Sequence, residues 1–520
     1  MLDVVAANFL DALTEREFDA PLTALLRTHG FTDVHFLHGQ FEFGKDFIAK
    51  AGEPLNQFVL QSKAGDLGLP QWTAIRGQID LLRTNELAHP AFDVSLPRTG
   101  VLVLTGRLTG GAPLEVQDYK RQAAERGETP LEVWDRDHLV GMIAATPEAG
   151  LAGTVEGPML ELLGRADSGR VTDDEIERYT ERWINQAGVT SWRHVLEASI
   201  IATRLRKADR LDLSCITTLA ALRAVWASAH GRDPVPDEVI EQAGVVKQMF
   251  FGYASELWDA CSQDFLEPRA VIADDPEGIL LGYPVRCLRL VELIGLLALL
   301  LDEDGRVPVR EWLISFVRSQ PGAAHPISDR WAVSLIPPLL AIGSGDGVRA
   351  AHLRDVVRWL GDRHDDGNLG LAPADSSPDD EANYLLGSAL AHINLEPRRS
   401  SFLAAVVLDL CTAFELADEY DVAYNDISAV GVTPQVTIPK DDVGQYTAGG
   451  LGLDVPVDTS PRYAENWASG SAPVMAPHQS VEISQYYLGR IGRTWDQLAI
   501  AMLLRDRYPF AGIRELAETT

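Results

Sequence analysis

After about residue 145 the hydrophobic periodicity of the chain changes character, and this limits its fold more than any other feature. Before that point, short apolar or alternating runs typical of strands are interleaved with runs of three- and four-residue spacing. Beyond it, helical spacing is almost uninterrupted. Two kinds of core follow: a mixed α/β unit at about 1–148 and a largely helical region at about 149–520. The length of 520 residues is itself too great for one core. With 46% hydrophobic and 23% charged residues, both parts have the composition of folded domains.

The first part reads α-β-β-β-α-β-α-β. Thr14-Glu15-Arg16-Glu17 has the pattern of a capping box. Phe18, Leu22, Leu25 and Leu26 then follow at helical spacing, and Gly30 stands where a left-handed helix terminator belongs. The segment VHFLHGQFEFGKDFIAK suggests a hairpin around Gly39, and QFVLQSK a third strand. Trp72, Ile75, Ile79 and Leu82 predict a second helix, which Pro90 and Pro97-Arg98-Thr99-Gly100 bring to an end. Val101–Thr105 lacks polar alternation, as expected of a strand covered on both faces. A helix over Ala112–Arg126, a strand at Leu131–Trp134 and a short helix from Asp137 complete the unit.

The second part predicts helices near 173–186, 190–206, 213–230, 281–302, 327–343, 349–361, 399–417 and 482–506. Residues 362–381 read as an exposed loop, and the proline- and glycine-rich stretch 430–480 as a long irregular excursion. The apolar run Leu290–Leu301 contains Glu292 and is shorter than the roughly twenty residues of a membrane span, so a buried helix and no membrane association are expected. The first residues lack the basic start and cleavage site of a signal peptide. Cys215, Cys261, Cys287 and Cys411 are too far apart for a paired zinc pattern and read as buried free thiols of a cytoplasmic protein. No GxxxxGK[ST], GxSxG or HExxH pattern occurs, so a nucleotide-driven motor is not expected. The scattered histidines and Trp359, Trp467 and Trp495 read as packing residues.

One constellation carries chemistry. Phe43-Gly44-Lys45-Asp46 is followed fifteen residues later by Gln61-Ser62-Lys63. On a strand, Gln61 and Lys63 share a face, and a carboxylate on the neighbouring strand can meet them. An acid, an amide oxygen and an ammonium at one strand end suit phosphodiester hydrolysis: oxygen ligands hold Mg²⁺ (or Mn²⁺), the metal acidifies a water, and the lysine positions that water or offsets charge on phosphorus.

The order of elements, with Gly44-Lys45-Asp46 and Gln61-Ser62-Lys63, resembles the PD-(D/E)XK nuclease superfamily, in particular the Mrr-like restriction endonucleases. The resemblance covers about 130 residues, including Phe18-Asp19 on the preceding helix and the strand VLVLT. It implies a restriction-endonuclease-like sheet flanked by helices, with Asp46 as principal metal ligand. Gln61 would stand in place of a second acid, Lys63 would be the catalytic lysine, and the Ser62 carbonyl would complete the metal shell. Asp19 is the expected accessory acid, and Glu42, in register with Asp46, a weaker candidate.

The charge balance bears on how such an enzyme would act. The net charge is −30, and residues 1–145 alone carry 20 acids against 13 Lys and Arg. Neither part offers the basic stripe on which unaided nucleic-acid binding rests. The expected function is therefore a metal-dependent nuclease, acting on DNA in restriction or anti-phage defence, whose activity depends on a protein partner or on homo-oligomerisation. The excursion at 430–480 is the expected docking element. A non-enzymatic helical interaction protein with a degenerate nuclease fold, and an RNA-directed nuclease, remain open on the sequence.

Overall fold

The computed structural model describes residues 2–37, 45–152, 157–168, 170–185, 191–229, 234–262, 282–343, 346–365, 367–374, 376–387, 396–439, 452–456, 462 and 495–503. The chain divides into two compact units, Met1–Ala166 with Gly188–Arg204, and Asp167–Ala187 with Leu205–Thr520.

The first unit holds α1 (Leu2–Ala12), α2 (Glu15–Thr28), β1 (Thr32–Phe36), β2 (Phe47–Ala51), β3 (Asn56–Lys63), α3 (Leu69–Thr84), β4 (Arg98–Leu104), α4 (Ala112–Glu125), β5 (Leu131–Trp134), α5 (Arg136–Ala145), α6 (Pro147–Gly150) and α7 (Gly157–Asp167). The five strands form one mixed sheet in sequence order. β1–β2–β3 are antiparallel, and β3–β4–β5 are parallel. The parallel pairs need crossovers, which α3 and α4 supply.

Alternation sorts the side chains. Leu60, Val101 and Val103 pack with α1, α2 and α5 residues such as Leu10, Leu22 and Ile143, while Val59, Leu102 and Leu104 pack with Trp72, Ile79 and Tyr119 of α3 and α4. The polar-free strand is thus covered on both faces, as its sequence indicates. The capping box forms: Glu17 Oε2 accepts from the Thr14 backbone N–H at 2.9 Å, and Thr14 Oγ1 accepts from Glu17 N–H at 3.4 Å. Helix α1, absent from the sequence reading, buries Val5, Ala6, Phe9 and Leu10 along one stripe. Beyond the ends of β3 and β4 the chain crosses itself tightly, since a Cβ on Gly106 would lie 2.3 Å from the Gly65 backbone.

The second unit is mostly helical: α8 (Asp173–Asn185), the last residues of α9 (Ser191–Lys207), α10 (Leu211–Ser228), α11 (Asp237–Cys261), α12 (Tyr283–Ala298), α13 (Glu303–Ser319), α14 (Ile336–Ala341), α15 (Asp346–His364), α16 (Pro378–Leu386), α17 (Phe402–Ala413), α18 (Ala417–Ala429) and α19 (Trp495–Leu503). Among the described residues, α10 alone has the length and apolarity to cross a membrane, and 72% of it is buried inside the protein. Helix α12 carries the apolar run read as a core helix, and Ser334 Oγ donates to the enclosed Glu292 Oε2 at 2.5 Å.

Three features were not anticipated. The chain passes between the units after Ala166, Ala187 and Arg204, the last of these inside α9. Arg204 of that helix pairs with Glu148, and Leu196 lies against Gly150, because helical periodicity does not say which core a helix joins. The stretch 362–381 is not simply an exposed loop: Leu371 and Ala372 are buried, Gly370 turns the chain at φ +85, and α16 starts within it on a Ser377–Asp380 capping box. Within 430–480, Thr433–Pro439 (β7) and Gly452–Pro456 (β8) form an antiparallel pair that joins Ser400–Ser401 (β6) in a small sheet. Prolines at both ends of β7 obscured that strand in the sequence. The rest of the excursion, and 482–494 of the last expected helix, lie outside the described residues.

Candidate active site of the α/β unit

Asp46 stands immediately before β2. The β2–β3 ladder pairs Phe47 with Leu60, and on β3 Leu60 and Ser62 share one face while Gln61 takes the other, toward α3. The Asp46 N–H still donates to the Leu60 carbonyl, at 2.8 Å. Its carboxylate is anchored on one side only. Oδ2 accepts from the Ser62 N–H at 2.7 Å and from Ser62 Oγ at 3.3 Å, and among the described residues no donor reaches Oδ1. Burial pushes the Asp46 carboxyl above its ordinary pKa, against the Ser62 N–H and the nearby Lys63 ammonium that hold it down, while Glu15 adds to the rise.

Gln61 is 3% exposed. Its Nε2 donates to Gln78 Oε1 of α3 at 2.6 Å, whereas its own Oε1 is buried without a hydrogen-bond partner. An orphaned amide oxygen in an interior costs about 1–3 kcal/mol, so it is a feature to explain. The Lys63 carbonyl bonds to Thr105 N–H on the β4 side. Successive carbonyls alternate along a strand, so that of Ser62 points to the side on which Asp46 lies.

Lys63 leaves the strand end with its side chain 27% exposed and donates to Glu15 Oε1 at 2.9 Å. Glu15, in the first turn of α2, is therefore the acid that meets the lysine. Asp19 lies one turn further along the same helix, half-buried, with its backbone carbonyl bonded to Thr23 Oγ1. Glu15 was not among the candidates read from the sequence. The capping box contained the signal, because an N-terminal acid beside a strand end is placed to meet a lysine there. Glu42, with Phe43 and Gly44, lies outside the described residues.

Lys45, next to Asp46 in the chain, is fully buried and donates to the Leu81 carbonyl at 3.1 Å. Burial, assisted by Arg98, lowers its pKa to about 8. Lys50 pairs with Asp33 at 2.9 Å. Neither lysine extends a free ammonium into solvent beside the motif.

Asp46 Oδ1 and the Ser62 carbonyl are hard oxygen donors on the β2 side of β3, and such donors suit Mg²⁺ or Mn²⁺ rather than a soft metal. Among the described residues no group of three or more His, Cys, Asp or Glu could hold a metal. The four cysteines are buried free thiols, as expected, and Trp359 and Trp495 are packing residues: Trp359 stacks on His325 and donates to the Pro326 carbonyl, and Trp495 packs on Phe250.

Comparisons with protein-family models, curated proteins and solved structures return no match for this chain. The molecule is thus defined by its own architecture, a mixed five-stranded α/β unit with Asp46, Lys63 and Glu15 at one strand end and a mostly helical unit after it.

Proposed function

We propose that the α/β unit is a metal-dependent nuclease that cleaves phosphodiester bonds, with DNA as its substrate and with restriction or anti-phage defence as its setting. The observation that carries this reading is the Asp46 carboxylate, held on one oxygen by Ser62 at the end of β3 and lying near the Lys63 ammonium, with no donor on its Oδ1 among the described residues. The resemblance of the same residues to the PD-(D/E)XK pattern supports it.

In this reading Asp46 and the Ser62 carbonyl hold Mg²⁺ or Mn²⁺. The ion, when bound, supplies an acidified water and offsets charge on the phosphate. Lys63 offers ammonium hydrogens to a phosphate oxygen or the attacking water, and Glu15 fixes the direction of that side chain. Asp46 must be ionised to bind a cation, and its pKa is raised. Cation uptake therefore fails, on acidification, at a higher pH than for an ordinary carboxylate.

The acidity of the chain, net −30, argues that productive contact with DNA comes through assembly or a protein partner in a cytoplasmic setting, with the segment around 430–480 as the docking element. The test is incubation of the purified chain, with and without cell extract, with plasmid and RNA in Mg²⁺ or Mn²⁺. Wild type should cleave DNA, and Asp46→Ala and Lys63→Ala should lower the rate at least a hundredfold while remaining folded. Cleavage by both variants at the wild-type rate overturns the assignment. The second reading, an interaction protein on an inactive nuclease fold, is favoured by the lack, among the described residues, of any group of three or more His, Cys, Asp or Glu that could hold a metal, and a wild type silent under every condition would select it.

A further inference from the structure

We propose that the helical unit holds a binding site for an alkyl carboxylate of the fatty-acid type, an apolar molecule with a single anionic head. The unit contains a cavity of about 820 Å³, within the range of roughly 300–1,000 Å³ usual for small-molecule sites, and its described lining residues all belong to this unit. Its inner wall is apolar: Leu257, Leu290, Leu293, Ile327 and Trp331 are buried residues that line it. Helix α12 gives the site its direction. Arg286, Leu290 and Leu293 follow at four- and three-residue spacing and so share one face of that helix. Exposure falls along this face, from an exposed Arg286 to a fully buried Leu293. A ligand lying along it has its polar end at Arg286 and its apolar end in the interior.

The charges around the cavity select the head group. Arg210 pairs with Asp212 at 3.0 Å, Arg330 with Asp174 at 3.2 Å, and Arg289 with Asp173, so three of the four lining arginines are already neutralised. Arg286 is the fourth. The first turn of α12 carries no acid, and among the described residues the Arg286 guanidinium meets no carboxylate; its Nε donates to the Gly282 carbonyl at 3.2 Å. Its terminal nitrogens are left for an anion, and one guanidinium matches one carboxylate. A diphosphate would need further cations, which the acids of the wall have already taken. Glu381, the buried acid of the wall, accepts from Ser328 Oγ, and burial raises its pKa, which disfavours a charge in the interior. Asp209, exposed in the turn before α10, is the lining acid that would draw a cation instead, but it does not stand in line with the apolar face of α12 as Arg286 does.

The experiment is calorimetric titration of the full chain with decanoate, decanol and decylammonium, each below its micelle concentration, using wild type, Arg286→Gln, Ala260→Trp and Arg358→Gln. Arg286 and Ala260 are exposed lining residues, so neither change touches the core. Arg358, exposed on α15, lies outside the lining and removes the same charge elsewhere. Wild type and Arg358→Gln should bind decanoate at one site and at least about tenfold more tightly than decanol. Arg286→Gln should hold decanoate no better than decanol while keeping the wild-type affinity for decanol. Ala260→Trp, which narrows the cavity, should weaken both. Wild-type decanoate affinity in Arg286→Gln, tighter binding of decylammonium than of decanoate, or no uptake of decanoate by wild type overturns the proposal. Wild-type binding by Ala260→Trp puts the alkyl chain elsewhere and overturns it too.

Discussion

Asp46 in the α/β unit and Asp329 in the helical unit are both carboxylates withdrawn from water, and their surroundings differ in a way that separates a site from a brace. Asp329, 1% exposed, is satisfied on both oxygens: Ser401 Oγ donates at 2.7 Å, the Leu403 N–H at 2.9 Å, and the Arg398 guanidinium pairs with it. Arg398 in turn offers its carbonyl to His364 Nδ1, and His364 Nε2 accepts from the Leu371 N–H. This closed network ties three segments far apart in sequence. Among the described residues Asp46 is bonded on one oxygen only, by Ser62. A fully satisfied buried acid holds a fold in place, whereas a half-satisfied one retains capacity for a ligand.

Breaking the brace gives the largest expected effect. Asp329→Ala leaves the Arg398 charge without its counter-ion and should destabilise the helical unit by about 3–5 kcal/mol, while Asp46→Ala costs the α/β unit under about 1 kcal/mol. Urea unfolding followed by hydrogen exchange in each unit distinguishes the two, and equal losses would dissolve the comparison.

Acid should act on the same unit next. Burial lowers the pKa of His352 and of His364 to about 4 from an ordinary 6.5. Between those values the unfolded chain binds protons that the native imidazoles refuse, so stability falls as pH drops from about 6.5 to 4 and levels off below. Each imidazole contributes up to about 3 kcal/mol, and the raised Glu381 carboxyl opposes part of the loss. Melting temperatures measured across that range check the slope; a helical unit that melts at a constant temperature contradicts it.

In the α/β unit, Gly106→Ala tests whether the strand ends that carry Lys63 depend on close backbone approach. The added methyl meets the Gly65 backbone and should destabilise by about 1–3 kcal/mol, with a loss of activity larger than the loss of folded protein explains. The smallest effect has the opposite sign. Asp46→Asn removes a carboxylate that burial disfavours yet keeps an oxygen for the Ser62 N–H. The metal-free protein should gain about 0.5–2 kcal/mol, as is common where a functional site is relieved, and lose Mn²⁺ binding. Destabilisation by this change would place Asp46 with the braces.

Much of the α/β unit was legible because its signals are local. The Thr14–Glu17 capping box, the continuous apolar strand Val101–Leu104 and the alternation that sends Val59 and Leu60 to opposite faces involve residues within a few positions of one another. The strand that carries Gln61 and Lys63 was legible for the same reason. Helix α1 was missed because its stripe of Val5, Ala6, Phe9 and Leu10 carries neither an N-cap nor a terminating glycine. The Asp329 network was invisible, since Asp329, Arg398 and Ser401 meet only after the intervening helices fold.

The sequence by itself therefore determined most element types of the α/β unit and the change from mixed to helical pattern. These depend on backbone periodicity and capping, which act over one or two turns. Only the tertiary structure decided that α9 straddles the two units, that Glu15 and not Asp19 holds Lys63, that Lys45 is buried under α3, and that Gln78 faces Gln61. Each of those depends on how separate elements pack, where a shift of one turn exchanges one partner for another without altering any local pattern.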